Sequence, residues 1–152
     1  MTAVAAREAL AIPTSHLDLL TRPICAVLTT MGVDGQPQSS LLWVDTDGEC
    51  ARVNTTLERQ KGRNLLADPK VSLLVVDPDD SSRFIQIRGD AELVVERAEE
   101  HLDDIASKYA GRPIRYFGDC IPVRFAETEI PVLCRIRPTH VVALDATGED
   151  DR

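Results

Sequence analysis

The clearest pattern along the chain is an alternation of apolar and polar residues that dominates residues 84–96. A period of two is typical of a half-buried β-strand, so it predicts a long strand here, with a bend or bulge at Gly89. The apolar face of this strand carries Ile85, Ile87, Ala91, Leu93 and Val95. Shorter apolar or β-branched runs predict further strands at residues 24–30, 38–45, 49–54, 71–76 and 131–144, the last interrupted at Pro138.

The other periodic segments predict helices, at residues 15–21, 55–67 and 98–109. The second is expected to begin at Thr55, because Thr55 and Glu58 have the spacing of a capping box. It should end before Asp68-Pro69, since the residue before a proline disfavours helical geometry. The third has apolar residues at helical spacing, namely Ala98, Leu102, Ile105 and Tyr109.

Tight turns at Asp34-Gly35 and Asp47-Gly48 join the first three strands into an antiparallel meander. The elements together predict a mainly β fold, a six-stranded antiparallel β-barrel with flanking helices. Residues 111–130 lack a regular pattern. They are expected to form a packed surface loop, or else to reach a pocket or a partner chain.

The length of 152 residues fits one domain, which we place at residues 15–146, between an N-terminal extension (residues 1–14) and a flexible polar tail (residues 147–152). The net charge of −8 argues against general nucleic-acid binding, which depends on neutralising phosphates with Lys and Arg. No apolar run approaches the roughly 20 residues that span a bilayer, and the N-terminus has no signal-peptide pattern. We therefore expect a cytoplasmic protein without membrane contact.

Several kinds of active site have no sequence signal in this chain. The four cysteines are far apart with no C-x-x-C pair, and the three histidines lack metal-ligand spacing, so no metal site is expected. Neither a Rossmann nor a P-loop glycine pattern occurs. No dedicated catalytic residue is predicted.

Basic residues concentrate at the start of the second predicted helix, at Arg59, Lys61 and Arg63. Positive side chains there oppose the helix dipole unless an anion binds at that end. A phosphate could accept hydrogen bonds from the backbone, from the Thr55 and Thr56 hydroxyls and from the basic groups. Asn64 lies on the same helical face as Lys61. The alternative is an ordinary solvated helix with a mixed charged face.

A second candidate segment is the polar start of the second strand, at Pro37, Gln38, Ser39 and Ser40. Polar side chains on a central strand need partners. They could bond to neighbouring backbone, or this strand edge could line a planar ring. Trp43, the only tryptophan, could pack in the core or stack on such a ring.

Three motifs in this order resemble one known family. G-x-P-x-x-S begins at Gly35, T-x-x-x-R-x-K-x-x-N-L-x-x-D-P-x-V-S-L begins at Thr55, and R-G-x-A begins at Arg88. They resemble the split β-barrel flavin reductase superfamily, which has the FMN-binding split-barrel fold of pyridoxamine 5′-phosphate oxidase. Over residues 15–144 the chain is most similar to the B group of F420-dependent oxidoreductases, an actinobacterial branch that uses the deazaflavin coenzyme F420.

The resemblance implies a homodimer with two cofactor sites at the subunit interface. It implies coenzyme F420 as cofactor, with FMN as the alternative, and hydride transfer from the reduced deazaflavin to an electron-poor small molecule. An FMN-dependent oxidoreductase and a non-catalytic F420-binding or storage protein remain alternatives. By family analogy the phosphate is held by Arg59, Lys61 and Asn64, and the ring or ribityl chain is contacted, largely through backbone, by Pro37, Gln38, Ser39, Ser40, Asn54, Thr55 and Thr56.

Overall fold

The computed structural model describes residues 6–145, which form an antiparallel sheet with helices packed around it. The strands are β1 (Ala6–Ala9), β2 (Ala26–Met31), β3 (Pro37–Leu42), β4 (Val44–Thr46), β5 (Ala51–Thr56), β6 (Lys70–Asp77), β7 (Asp80–Val94) and β8 (Pro131–Leu144). The α-helices are α1 (Asp18–Thr21), α2 (Gln60–Ala67) and α3 (Ala98–Ala110). Short helical turns lie at Thr14–His16, Tyr116–Cys120 and Val123–Glu127. No helix in this part of the chain has the length and apolarity that crossing a bilayer requires.

The sheet curls into a barrel because its two edge strands are neighbours in the sequence. The strand order is β3-β2-β6-β7-β8-β5-β4, yet only Trp43 separates β3 from β4. Two residues span at most about 7 Å of chain, so the opposite edges of the sheet must meet at this point. The barrel is therefore split beside Trp43, where β3 and β4 adjoin without pairing to each other.

The mainly β, antiparallel split-barrel prediction is confirmed, although the described residues contain eight strands rather than six. The second predicted strand divides at Trp43 into β3 and β4. The additional β1 pairs with the end of β8, so this part of the N-terminal extension belongs to the sheet. The predicted polar tail at residues 147–152 lies outside the described residues.

The bulge predicted at Gly89 is present, and it explains why β8 continues through Pro138. Gly89 is opposite Pro138, and the β7–β8 register shifts between Arg88 and Gly89. A Cβ atom at Gly89 would overlap the Arg137 carbonyl, so only glycine allows this close approach. The shift lets the strand accommodate a residue without an N–H group.

The predicted start of the second helix is wrong. Thr55 and Thr56 remain in β5, paired with Val132 and Pro131 of β8, and α2 begins only at Gln60. Its N-cap is Arg59, with no side-chain cap. Pairing with the distant strand β8 replaces the local cap that Thr55 and Glu58 would form, and the Glu58 carboxylate instead accepts from the Ile130 N–H, at 3.3 Å.

Side chains at the end of α3 form hydrogen bonds with the backbone groups that lie where the barrel is split. The Val44 N–H donates to the Tyr109 hydroxyl at 3.0 Å, and the half-buried Lys108 ammonium donates to the carbonyls of Leu20 and Val44. Burial lowers the pKa of Lys108 to about 8. These bonds fix α3 against the Trp43 junction, with an apolar cluster of Leu102, Ile105 and Phe117 outside the main barrel core.

Gly62 sets how closely α2 approaches β5. A Cβ atom there would overlap the Thr56 carbonyl oxygen. Helix propensity alone predicts that Gly62→Ala stabilises the protein by about 1 kcal/mol. Because the overlap is with backbone, we expect the opposite, a loss of about 1–3 kcal/mol in unfolding free energy by urea denaturation.

The matched control for this change is Leu66→Ala, at an exposed position of the same helix. It should leave the unfolding free energy within about 0.5 kcal/mol of the wild type. A Gly62→Ala protein as stable as the wild type would contradict the close packing of α2 on β5.

Candidate functional site

A pocket of about 200 Å³ lies beside the split in the barrel. Its wall is apolar on the side of β3 and α3 and polar on the side of β5 and the start of α2. The lining residues are Leu41, Leu42, Trp43, Asn54, Arg59, Lys61, Leu102, Ile105 and Tyr116. A pocket with one apolar wall and a few convergent polar groups suits a planar ligand that carries charge at one end.

Lys61 is the group in this pocket whose charge is least neutralised. Its side chain is half-buried, and within residues 6–145 no carboxylate lies at ion-pair distance from it, whereas Arg59 pairs with Glu129 at 3.2 Å. Burial and the nearby Arg59 guanidinium lower the pKa of Lys61 below its ordinary value. An anion in the pocket would offset both effects.

The backbone at the start of α2 adds further donors. The first N–H groups of an α-helix have no partner within the helix, and no side chain caps this one. Arg63 turns back onto its own helix, donating to the Glu58 carbonyl and, at 2.7 Å, to Gln60 Oε1. Of the three clustered basic residues, Arg59 and Lys61 therefore line the pocket and Arg63 does not.

The end of β5 places its predicted site residues on opposite faces. Asn54 lines the pocket, and its Oδ1 atom is buried without a hydrogen-bond partner among the described residues. Thr55 shares the face of the buried core residues Ala51 and Val53, and its hydroxyl is likewise buried and unpartnered within residues 6–145. The Thr56 hydroxyl is also buried and without a hydrogen-bond partner among the described residues.

Asn64 has its hydrogen bonds inside the protein. It is 1% exposed, and its Nδ2 donates to Thr30 Oγ1 at 3.0 Å and to Gln38 Oε1 at 2.9 Å. Its Oδ1 accepts from Gln60 at 2.8 Å. In this arrangement Asn64 holds α2 against β2 and β3, and so positions Arg59 and Lys61 at the pocket.

Residues 37–40 lie on the exposed edge strand β3 and do not line the pocket. Ser39 bonds to the Thr29 hydroxyl at 2.8 Å, rather than to backbone. The strand continues into Leu41 and Leu42, which do line the pocket.

An aromatic cluster closes the other side of the pocket. The Trp43 ring stacks on Tyr109, with centroids 5.3 Å apart, and meets the Tyr116 ring edge-on at 6.3 Å. Trp43 thus packs on protein rings and also lines the pocket. Tyr116 belongs to the segment 111–130, so that segment reaches the pocket in addition to covering the surface.

A partly buried polar chain behind the pocket was not anticipated from the sequence. Arg52 donates to both Asp45 oxygens at 2.9 Å, and His101 Nε2 lies 3.1 Å from Asp45 Oδ1. Burial alone would raise the pKa of Asp45, but hydrogen bonds from His101 and Arg52 hold it below its ordinary value. The signal in the sequence was the position of His101, three residues after Ala98 on the apolar face of α3.

The unpartnered hydroxyl of Thr55 predicts a stability gain on its removal. We expect Thr55→Val to raise the unfolding free energy by about 1 kcal/mol, because a buried hydroxyl without a partner costs about 1–3 kcal/mol. The control Thr30→Val should instead destabilise the protein, since it removes one of the two acceptors of the buried Asn64 Nδ2. Equal losses in both variants, measured by urea denaturation, would contradict this assignment.

Comparison with known proteins places this chain in a family. The sequence matches the pyridoxamine 5′-phosphate oxidase family over residues 12–144. Among solved structures, an F420 reductase is 31% identical, with a TM-score of 0.71 over 86% of this chain and 98% of its own. A conserved hypothetical protein from Mycobacterium tuberculosis is 27% identical, with a TM-score of 0.70 over 93% and 91% of the two chains.

More distant structures share the fold alone. A haem storage protein from Vibrio cholerae is 19% identical, with a TM-score of 0.59 over 84% of this chain and 90% of its own. No curated protein matches the chain in sequence. Because the family match spans most of its length, the chain belongs to the pyridoxamine 5′-phosphate oxidase family, within the split-barrel superfamily of flavin and deazaflavin oxidoreductases.

Proposed function

We propose that this protein is an oxidoreductase that binds the deazaflavin coenzyme F420 in the pocket beside Trp43. The observation that carries the proposal is the half-buried Lys61, which lines the pocket without a carboxylate partner among the described residues and lies in the uncapped first turn of α2. Such a site favours a phosphate group. The 31% identity to an F420 reductase supports a deazaflavin as the cofactor that carries this phosphate.

The polar and apolar walls of the pocket have the chemistry that the two ends of such a cofactor need. Arg59, Lys61 and the first N–H groups of α2 would hold the phosphate, while Asn64 keeps α2 in place. The apolar wall at Leu41 and Leu42 would lie against the ring. By family analogy, residues 37–40 and 54–56 contribute further contacts, largely through backbone.

The residues of the chain act by binding and orienting rather than by covalent chemistry. When bound, a reduced deazaflavin supplies the hydride, and the electron-poor substrate accepts it. Trp43 and Tyr116 would exclude water from one side of the pocket, and Lys61 would fix the phosphate end. Within residues 6–145 no group of three His, Cys, Asp or Glu side chains could hold a metal ion.

FMN is the second candidate cofactor, favoured by the family match itself. It also carries a phosphate and a planar ring, so the pocket would use the same residues. A purified protein that has a flavin rather than a deazaflavin absorption spectrum, and releases FMN on denaturation, would support FMN over F420.

We propose a homodimer in which a second copy completes the pocket. Leu41 lines the pocket but is 70% exposed in the single chain, and it belongs to the edge strand β3. The exposed apolar side chain of Leu41 would be buried if another chain packed against this edge. A monomer that binds the cofactor as tightly in dilute solution would contradict this arrangement.

Lys61→Ala tests the phosphate assignment. We expect F420 binding to weaken by roughly 1.5–3 kcal/mol, the range for hydrogen bonds to charged groups, as measured by fluorescence titration. The control Lys70→Ala removes a lysine at the start of β6 that does not line the pocket. It should leave the affinity unchanged, and equal losses in both variants would mean that only overall charge matters.

The lowered pKa of Lys61 predicts an alkaline loss of affinity. Because burial and Arg59 lower this pKa, the protein should lose the Lys61 charge at a pH below the roughly 10.4 typical of lysine. Affinity for F420 should therefore be full at neutral pH and fall as pH rises through that pKa. Lys61→Arg should remove this fall, and a wild type whose affinity stays level to pH 10.5 would contradict the assignment.

Turnover separates an enzyme from a storage protein. Reduced F420 should be oxidised by the protein with at least one acceptor from a panel of quinones, enones and tetrapyrroles, followed by deazaflavin absorbance. Tight binding without turnover across the panel would support a cofactor-binding role instead.

A further inference from the structure

Behind the pocket, hydrogen bonds link the Asp45 carboxylate through His101 to the Asn54 side chain. Asp45 can only accept hydrogen bonds while ionised, and His101 Nε2 lies 3.1 and 3.2 Å from its two oxygens. His101 Nε2 must therefore carry the hydrogen. In the neutral ring the other nitrogen, Nδ1, is then an acceptor.

The amide of Asn54 receives its orientation from this acceptor. Asn54 Nδ2 lies 3.0 Å from His101 Nδ1 and 2.9 Å from the Ala98 carbonyl oxygen. Both partners accept hydrogen bonds, so both hydrogens of the amide nitrogen are committed. The turned alternative would set Oδ1 against two acceptors, and the structure thus fixes which end of the amide is held.

What remains for a ligand is the amide oxygen. Asn54 lines the pocket, and its Oδ1 is buried without a partner within the described residues. A buried acceptor without a partner costs about 1–3 kcal/mol unless a bound molecule donates to it. Asn54, on the polar wall opposite the apolar side of the pocket, therefore carries an orphaned acceptor of fixed direction.

We propose that His101, held by Asp45, is a positioning residue that fixes Asn54 as a hydrogen-bond acceptor, so that the pocket selects a ring bearing an N–H or O–H donor. This inference rests on the proposed function for the identity of the ring. Arg52 orients Asp45 from the other side, donating to both carboxylate oxygens at 2.9 Å. Asp45 and His101 touch no pocket space themselves and act through Asn54.

The first test needs no cofactor. In the ¹⁵N-labelled free protein at neutral pH, a long-range ¹H–¹⁵N correlation spectrum should show His101 as the Nε2–H tautomer, with its signals assigned by their loss in His101→Gln. Asp45→Asn should shift these signals toward the Nδ1–H tautomer. An Nδ1–H tautomer in the wild type, or unchanged signals in Asp45→Asn, would overturn the proposal.

Asp47→Asn is the matched control for this change. Asp47 lies in the same β4–β5 hairpin and also pairs with an arginine, Arg135, at 2.7 Å. Within residues 6–145 it forms no hydrogen bond or ion pair with His101 or with the pocket lining, so its loss tests the general effect of removing an Asp–Arg pair there. The His101 signals should not move in Asp47→Asn.

The second test is a double-mutant cycle on F420 affinity. Asn54→Ala and Asp45→Asn should each weaken binding about tenfold, the value of one hydrogen bond. The double variant should bind no more weakly than Asn54→Ala, because Asp45 acts only through Asn54. Losses that multiply to about a hundredfold, or an unchanged affinity in Asn54→Ala, would overturn the proposal.

Failure of the proposed function is recognisable separately. A wild type that binds neither F420 nor FMN would refute that function, while the tautomer measurement on the free protein would still decide whether Asp45 and His101 orient Asn54.

Discussion

The structure depends on one geometric constraint, the closure of the barrel at Trp43. The two edge strands of the sheet, β3 and β4, are separated by this single residue. The backbone that leaves the sheet here must find other partners, and Tyr109 and Lys108 of α3 supply them at Val44. The same hydrogen bonds at Val44 therefore hold the closed barrel and dock α3 against it.

The pocket is a consequence of that closure. The split in the barrel brings the end of β3 next to β5, and α3 covers the gap with Leu102 and Ile105. The start of α2 reaches the same place because Gly62 allows it to approach the Thr56 carbonyl. Asn64 anchors α2 to β2 and β3, and so holds the half-buried Lys61 at the pocket. An acidic chain thus concentrates positive charge at one small site.

The sequence predicted those features of the fold that depend on residues close together in the chain. The strand over residues 84–96 and the bulge at Gly89 were predictable, because a half-buried strand needs alternating residue types and a close backbone approach needs glycine. The start of α2 was not predictable, since Thr55 stays in β5 by pairing with Val132, which is 77 positions away in the numbering. The link between Asp45 and His101, 56 residues apart, likewise depends on how α3 packs over the barrel. Arg59 and Lys61 were found because their charge is unusual for the chain.

The central claim is that the pocket beside Trp43 binds the phosphate and ring of coenzyme F420. A titration of the wild-type protein with F420 and with FMN, each at two salt concentrations, tests it most directly. We expect F420 to bind more tightly than FMN and its affinity to fall as salt rises, because Arg59 and Lys61 hold an anion. Tighter binding of FMN, or F420 binding that does not change with salt, would contradict it.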